Sequence, residues 1–136
     1  MSIGSPMVFE RQRAKRENAV KQRLMTIRSA EEKYRTRHGV YASNFKQLTK
    51  CGLLADSLAY IPYTSGKRFS LTATMLPGKN DEGIPVMECG ATYNQYLDGL
   101  DKTSINELTE EANANGTFPG LKIGDTEAPN DNAGNW

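Results

Sequence analysis

The chain has little of what most catalytic and metal sites need. Its 136 residues include one histidine, His38, so a site built on several imidazoles or a His-dependent triad has little support. The glycine-rich, hydrolase and zinc-peptidase motifs are missing from the sequence as well. We therefore expect a protein that is not an enzyme and that needs no organic cofactor.

Long apolar runs are also missing. The chain has no stretch approaching the roughly 20 apolar residues that cross a bilayer, and no signal-peptide core is visible. Residues 1–7 are typical of a leader added during cloning. Because a charged helix begins directly afterwards, we expect that a native segment originally preceded residue 8.

Cysteine is scarce, and its spacing is not that of a metal site. Cys51 and Cys89 are the only two cysteines. In an exported protein a disulfide between them would close a long loop, worth about 4 kcal/mol in the chain-entropy model. Two buried free thiols are the alternative, and the sequence leaves both possibilities open.

A long N-terminal helix is the strongest pattern that is present. From Val20 to Tyr34, residues at spacings of four, three, four and three form one apolar stripe, interrupted only by Glu31. This stripe predicts a helix over 7–38 that docks on a sheet. Before Val20 the stripe almost vanishes, so we expect the first half of the helix to project as a stalk.

The remaining chain predicts small elements. Gly39 ends the long helix, and Ser43 is expected to cap a short helix that reaches about Lys50. Apolar and polar residues then alternate from Phe69 to Met75, as in a half-buried strand. A loop over 76–83 leads to a second strand over 84–89, where Pro85 indicates an edge or a strand start.

The C-terminal third adds a helix and a last apolar segment. Ser104 and Glu107 are spaced as a capping box for a helix that runs toward Gly116. Phe118, Leu121 and Ile123 are then expected to complete the core, followed by a loop over 125–136. The predicted fold is α+β: a single domain over 8–136, with a long stalk helix (8–38) packed on a small antiparallel β-meander in the head (39–136).

Charge is distributed unevenly along the chain. Residues 8–38 hold ten Lys and Arg against four Glu, whereas residues 98–131 hold eight Asp and Glu against two Lys. Such complementary regions can meet within one molecule or between neighbouring molecules, and we expect Arg13, Arg16 and Lys21 to contribute to an assembly interface. We do not expect nucleic acid as a partner, because the basic run has hardly any aromatic residues on which bases could stack.

Oxygen-rich side chains cluster near the C-terminus. Asp125, Glu127, Asn130, Asp131 and Asn132 could surround a calcium ion, which takes six to eight oxygen ligands. A plain loop with Asx-turns is the alternative.

Adjacent carboxylates elsewhere are expected to be solvated. Glu31 and Glu32, and likewise Glu110 and Glu111, are neighbours in predicted helices, so the members of each pair point in different directions. We therefore expect surface charge at these positions and no general acid or base.

The order of these elements resembles the soluble part of type IV pilins and of type II secretion pseudopilins. The resemblance is carried by Ala30-Glu31-Glu32-Lys33-Tyr34 through Gly39-Val40-Tyr41, then Phe45, Leu48, Gly52-Leu53-Leu54 and Phe69-Ser70-Leu71. It implies an exported structural subunit that assembles with itself or with other pilin-like subunits. It also implies a missing apolar N-terminal segment, with the head in the periplasm or in an extracellular filament.

Two further functions stay open at this point. One is a monomeric, membrane-anchored periplasmic or surface binding module, whose head would present the 76–83 and 125–136 loops to a ligand. The other is a pilin-like protein that binds nucleic acid through the basic residues of the helix.

Overall fold

A 33-residue helix, α1 (Pro6–His38), forms one side of the molecule in a computed structural model that describes residues 6–79 and 82–136. Its end is as expected: Gly39 has φ +78° and donates its N–H to Arg35 O at 2.7 Å. A glycine adopts this left-handed conformation without steric cost. The helix predicted over 7–38 is therefore confirmed.

Two short elements connect α1 to the sheet. Helix α2 (Phe45–Lys50) is capped by Asn44, whose Oδ1 accepts the N–H of Gln47 at 2.9 Å. The expectation that Ser43 is the cap was wrong by one residue. Ser43 instead donates its N–H to Gln47 Oε1 at 2.7 Å. A 3₁₀ turn (Asp56–Ala59) follows.

Three antiparallel strands form an open sheet in the order β1-β2-β3. Strand β1 (Ser70–Pro77) pairs with β2 (Gly83–Thr92), with Leu71 opposite Cys89. Strand β2 is central, and only its second half pairs with β3 (Gly120–Gly124), from Glu88 onward. Pro85 thus lies in the part of β2 that has no β3 neighbour, where a missing N–H costs no ladder bond on that side.

The connection from β2 to β3 is helical, and the helix predicted to run toward Gly116 lies in it. It contains α3 (Tyr93–Tyr96) and α4 (Lys102–Ala114). Helix α4 begins before the predicted Ser104, because Asp101 is its cap and accepts the Ser104 N–H at Oδ2 over 3.1 Å. The fold class is nevertheless as predicted: a long N-terminal helix packed on a small antiparallel sheet.

One hydrophobic core joins the helix to the sheet and to α2, α3 and α4. The stripe of α1 is buried as expected, and Leu121 and Ile123 complete the core from β3. The predicted alternation of buried and exposed residues from Phe69 to Met75 is confirmed only in part, because Met75 is 46% exposed near the end of β1.

The prediction of a projecting stalk was wrong. Phe9 is only 5% exposed and belongs to the core. Arg13, Arg16 and Glu17 are half-buried between Phe9 and Val20. The first half of α1 therefore contacts the head mainly through polar side chains. A search of the sequence for an apolar stripe does not detect a contact of this kind.

Candidate functional site

Arg16, one of the cations predicted for assembly, is engaged inside the molecule. Its Nη1 donates to Tyr96 O and to Asp98 O, both at 2.9 Å, and its guanidinium lies 5.3 Å from the centre of the Tyr63 ring. Hydrogen bonds from a charged donor to carbonyl groups are stronger than neutral ones. Arg16 therefore ties α1 to the end of α3.

Arg13 and Lys21 also have partners in their own chain. Arg13 lies 3.3 Å from Glu17 Oε2 and 3.5 Å from Glu10 Oε2, so its charge is balanced within α1. Lys21 Nζ lies 5.8 Å from the centre of the Trp136 ring. A role of these three cations in assembly stays a prediction, and reversing the charge of Arg13 or Arg16 would also disturb the head.

Three other cations of α1 lie on its exposed side, and one of them also contacts the head: Lys15 Nζ lies 5.9 Å from the centre of the Tyr63 ring. We name Arg11, Lys15 and Lys33 the basic face: all three are exposed, and at 100° per residue they lie within about 40° of one another on the side opposite the core. None forms an ion pair within residues 6–79 and 82–136. This face is available to a partner.

Helix α4 presents the opposite charge. We name Glu107, Glu110 and Glu111 the acidic face: at 100° per residue they fall within about 100° of one another around α4, while Ile105 and Ala112 are buried on the other side. All three carboxylates are exposed, and none has an ion-pair partner in the described part of the chain.

The two charged regions hardly neutralise each other within one molecule. The described residues contain no ion pair between a cation of α1 and a carboxylate of 98–131. Contacts between these regions use backbone carbonyls, as when Arg28 Nη2 donates to Asp131 O at 3.1 Å. Ion pairs between the two regions therefore do not neutralise this charge within the described part of the chain.

Two polar side chains of the loop predicted to bind calcium form hydrogen bonds within the chain. Asp125 Oδ1 accepts the N–H of Glu127 at 2.8 Å, which is an Asx-turn, and Asn132 is buried with its Nδ2 donating to Tyr41 Oη at 3.0 Å. Asp131 and Asn132 have positive φ. Asn130 precedes them in an exposed part of the loop. No group of three His, Cys, Asp or Glu side chains suited to a metal occurs among the described residues, and the calcium site stays a prediction.

The cysteines are two free thiols in different environments. Cys51 is exposed at the end of α2, where its Sγ lies 3.9 Å from His38 Nε2. Cys89 is fully buried in β2. Burial, with a smaller contribution from the charge of Glu31, raises the pKa of the Cys89 thiol far above its ordinary value. The predicted disulfide is not formed in this structure, nor are both thiols buried.

Glu31 is not the solvated carboxylate that we expected. It is completely buried, its Oε1 accepts the N–H of Ala42 at 2.7 Å, and its Oε2 has no hydrogen-bond partner. Burial raises the pKa of Glu31 to about 8, although the hydrogen bond from Ala42 acts in the opposite direction. Its place in the apolar stripe of α1 was the sequence signal for this burial.

The fold and surface together define an α+β domain whose long helix and head carry opposite charge. No family model matches the chain, and neither a curated protein nor a solved structure matches it. Among the helices in the described ranges, none is both long and apolar enough to span a bilayer.

Proposed function

We propose that this chain is a non-enzymatic structural subunit of a pilin-like or pseudopilin-like assembly. The observation that carries the proposal is that α1 has an exposed basic face and α4 an exposed acidic face, and that neither face forms an ion pair within residues 6–79 and 82–136. The resemblance of the sequence to pilins over residues 17–75, and the long helix packed on an antiparallel sheet, support it further.

The two faces are different surfaces of the molecule, so a contact between them is heterologous. The acidic face of one copy meets the basic face of the next, and the same contact is repeated at each step. Heterologous contacts that do not close into a ring generate open helical filaments. Complementary charge fixes the orientation of the contact and accelerates encounter.

In this proposal an apolar segment precedes α1 and anchors the exported subunit in the inner membrane before assembly. Sequencing the native gene upstream of the codon for Val8 tests the anchor. We expect codons for roughly 20 apolar residues, together with a Gly-Phe junction and a Glu at the fifth position of the mature chain.

The assembly proposal is tested by reversing charge on the basic face. The double variant Arg11→Glu/Lys15→Glu removes two exposed cations that form no ion pair in the described structure. We expect self-association, measured by sedimentation velocity at increasing protein concentration and low salt, to be lost. For the unmodified chain, raising the ionic strength to 0.5 M should weaken it, since exposed charges are then screened beyond a few ångströms (about 4 Å).

A matched control separates a specific contact from a general effect of net charge. Lys46 and Lys67 are exposed and lie outside α1, so Lys46→Glu/Lys67→Glu changes the net charge by the same amount. This control should associate like the unmodified chain. Equal loss of association in both double variants would contradict the proposed interface.

A further inference from the structure

A cavity of about 550 Å³ lies between α1 and the C-terminal part of the head. Its walls include three cations and three aromatic rings: Arg13, Lys21, Lys122, Tyr93, Phe118 and Trp136. A volume of this size is in the usual range for small-molecule sites, about 300–1,000 Å³.

Each aromatic ring in this cavity has a cation above it. The distances from the charged group to the ring centre are 5.7 Å for Arg13 over Tyr93, 5.8 Å for Lys21 over Trp136 and 5.6 Å for Lys122 over Phe118. Such contacts are attractive, because the face of an aromatic ring carries partial negative charge. The cavity therefore places positive charge directly beside ring surfaces.

The three cations differ in how far their charge is balanced. Arg13 is paired with Glu10 and Glu17, and Lys122 Nζ lies 3.1 Å from Glu88 Oε1. Lys21 has no carboxylate within ion-pair distance in the described ranges. Its ammonium group is the charge in this cavity that remains available to a ligand.

Among the described residues, Glu17 provides the one side-chain carboxylate that lines the cavity, and it is already engaged. Glu17 Oε2 accepts hydrogen bonds from Arg13 Nε and from Tyr96 Oη. Burial, and then this bond to Glu17, raises the pKa of the Tyr96 hydroxyl above its ordinary value, so Tyr96 stays a neutral donor. The electrostatic balance of the cavity consequently favours an anion.

Ring surface is available as well as charge. Trp136 is 49% exposed, and Phe118 and Tyr93 are half-buried. A ligand whose anionic group pairs with Lys21 can cover these rings with an apolar, planar body, and both interactions gain from the exclusion of water. An inorganic anion would leave the rings exposed, and a neutral aromatic compound would leave Lys21 unpaired.

We propose that this cavity binds a small organic anion that combines an aromatic ring with a carboxylate or phosphate group. The site is distinct from the basic and acidic faces of the proposed assembly. It therefore does not depend on whether the chain forms filaments.

The test uses phenyl phosphate as the probe and Trp136, the only tryptophan of the chain, as the reporter. We expect a saturable change in tryptophan fluorescence on titration of the full chain. In competition measurements, inorganic phosphate and phenol should each bind at least about tenfold more weakly than phenyl phosphate, because each offers only one of the two interactions.

Three variants examine the walls of the cavity. Lys21→Gln should weaken phenyl phosphate binding about tenfold, the usual size of a lost hydrogen bond to a charged group. Lys33→Gln removes the same charge about 18 Å along the same helix and outside the cavity, and should change the affinity less than about twofold. Phe118→Leu should lower the affinity for phenyl phosphate while leaving the affinity for inorganic phosphate unchanged.

Three results would overturn the proposal. They are the absence of a saturable change with phenyl phosphate at millimolar concentration, equal affinity for phenyl phosphate and inorganic phosphate, and equal weakening by Lys21→Gln and Lys33→Gln. The last result would mean that the anion responds only to the overall charge of α1.

Discussion

At the scale of single residues, Glu31 is the least expected feature of the core. Its carboxyl group is enclosed, with one oxygen bonded to the backbone of Ala42 and the other without a partner. Burying a charge without a cation beside it is costly, so the group holds its proton in the folded state. This links the stability of the head to pH.

Glu31 makes stability fall as the pH rises from about 5 to about 8. The unfolded chain releases this proton near the ordinary value of 4.5, whereas the folded chain retains it up to about 8. The unfolded state therefore binds fewer protons, and the free energy of unfolding decreases by at most about 1.4 kcal/mol per pH unit from this group. Glu31→Gln keeps an acceptor for Ala42 and should remove this decrease.

Urea unfolding at several pH values measures the effect. The exposed neighbour provides the control: Glu32→Gln should leave the pH dependence as in the unmodified chain. Parallel stability curves for the unmodified chain and Glu31→Gln would mean that Glu31 is ionised in the folded state.

The two thiols provide a second prediction at this scale. In non-reduced native protein, one thiol per chain should react rapidly with Ellman's reagent, because Cys51 is exposed and Cys89 is buried. In urea both should react. Cys51→Ser should abolish the rapid phase, whereas the absence of any reactive thiol in unfolded, non-reduced protein would demonstrate a disulfide.

At the scale of elements, α1 is held along most of its length. Its contacts with the head begin at Phe9, continue through Arg13 and Arg16, and reach Tyr34. The first half is therefore part of the folded domain, which distinguishes this structure from a head carried on a free stalk.

Truncation of Phe9 tests this packing. Phe9→Ala should lower the free energy of unfolding by about 3 kcal/mol, the usual cost of removing a buried phenyl group. Val8→Ala, an apolar truncation on the exposed side of the same turn, should cost less than about 0.5 kcal/mol. Similar small effects of both variants would indicate that the first half of α1 is free of the head.

The stripe of α1 shows how far the sequence could predict this element. Extended backward from Val20 by steps of four, three and four, it reaches Arg16, Arg13 and Phe9. The helical period thus identifies the buried side of α1 correctly. Hydropathy alone predicts two of these positions to be exposed, because they are arginines. The long side chains of the two arginines pack between α1 and the head, while their charged ends bond to carbonyls or carboxylates of the head and of α1 itself. Hydropathy alone does not predict such contacts.

The same limit applies to the candidate site. Charge counting along the chain found the basic and acidic regions, but selected Arg13 and Arg16, which are engaged by the head and by α1. The more exposed Arg11 and Lys15 emerge only when the direction of each side chain around the helix is known. The cavity beside Lys21 was beyond prediction, because its walls come from four separate segments of the chain.

At the scale of the whole molecule, the near-neutral net charge of +1 conceals two surfaces of opposite sign. A chain of this kind has little net repulsion between copies and a directed attraction between the two faces. We therefore propose that copies of the chain associate head to tail through the basic face of α1 and the acidic face of α4.

The most direct test mixes two variants that should each fail alone. Arg11→Glu/Lys15→Glu gives a chain with two acidic surfaces, and Glu107→Lys/Glu110→Lys gives a chain with two basic ones. Sedimentation velocity at low salt should show no self-association for either variant, and an equimolar mixture should recover association, because each altered face then meets its complement. Two results would contradict the proposed head-to-tail contact. One is that both variants associate like the unmodified chain. The other is that the mixture forms only dimers, whose sedimentation coefficient does not increase with protein concentration.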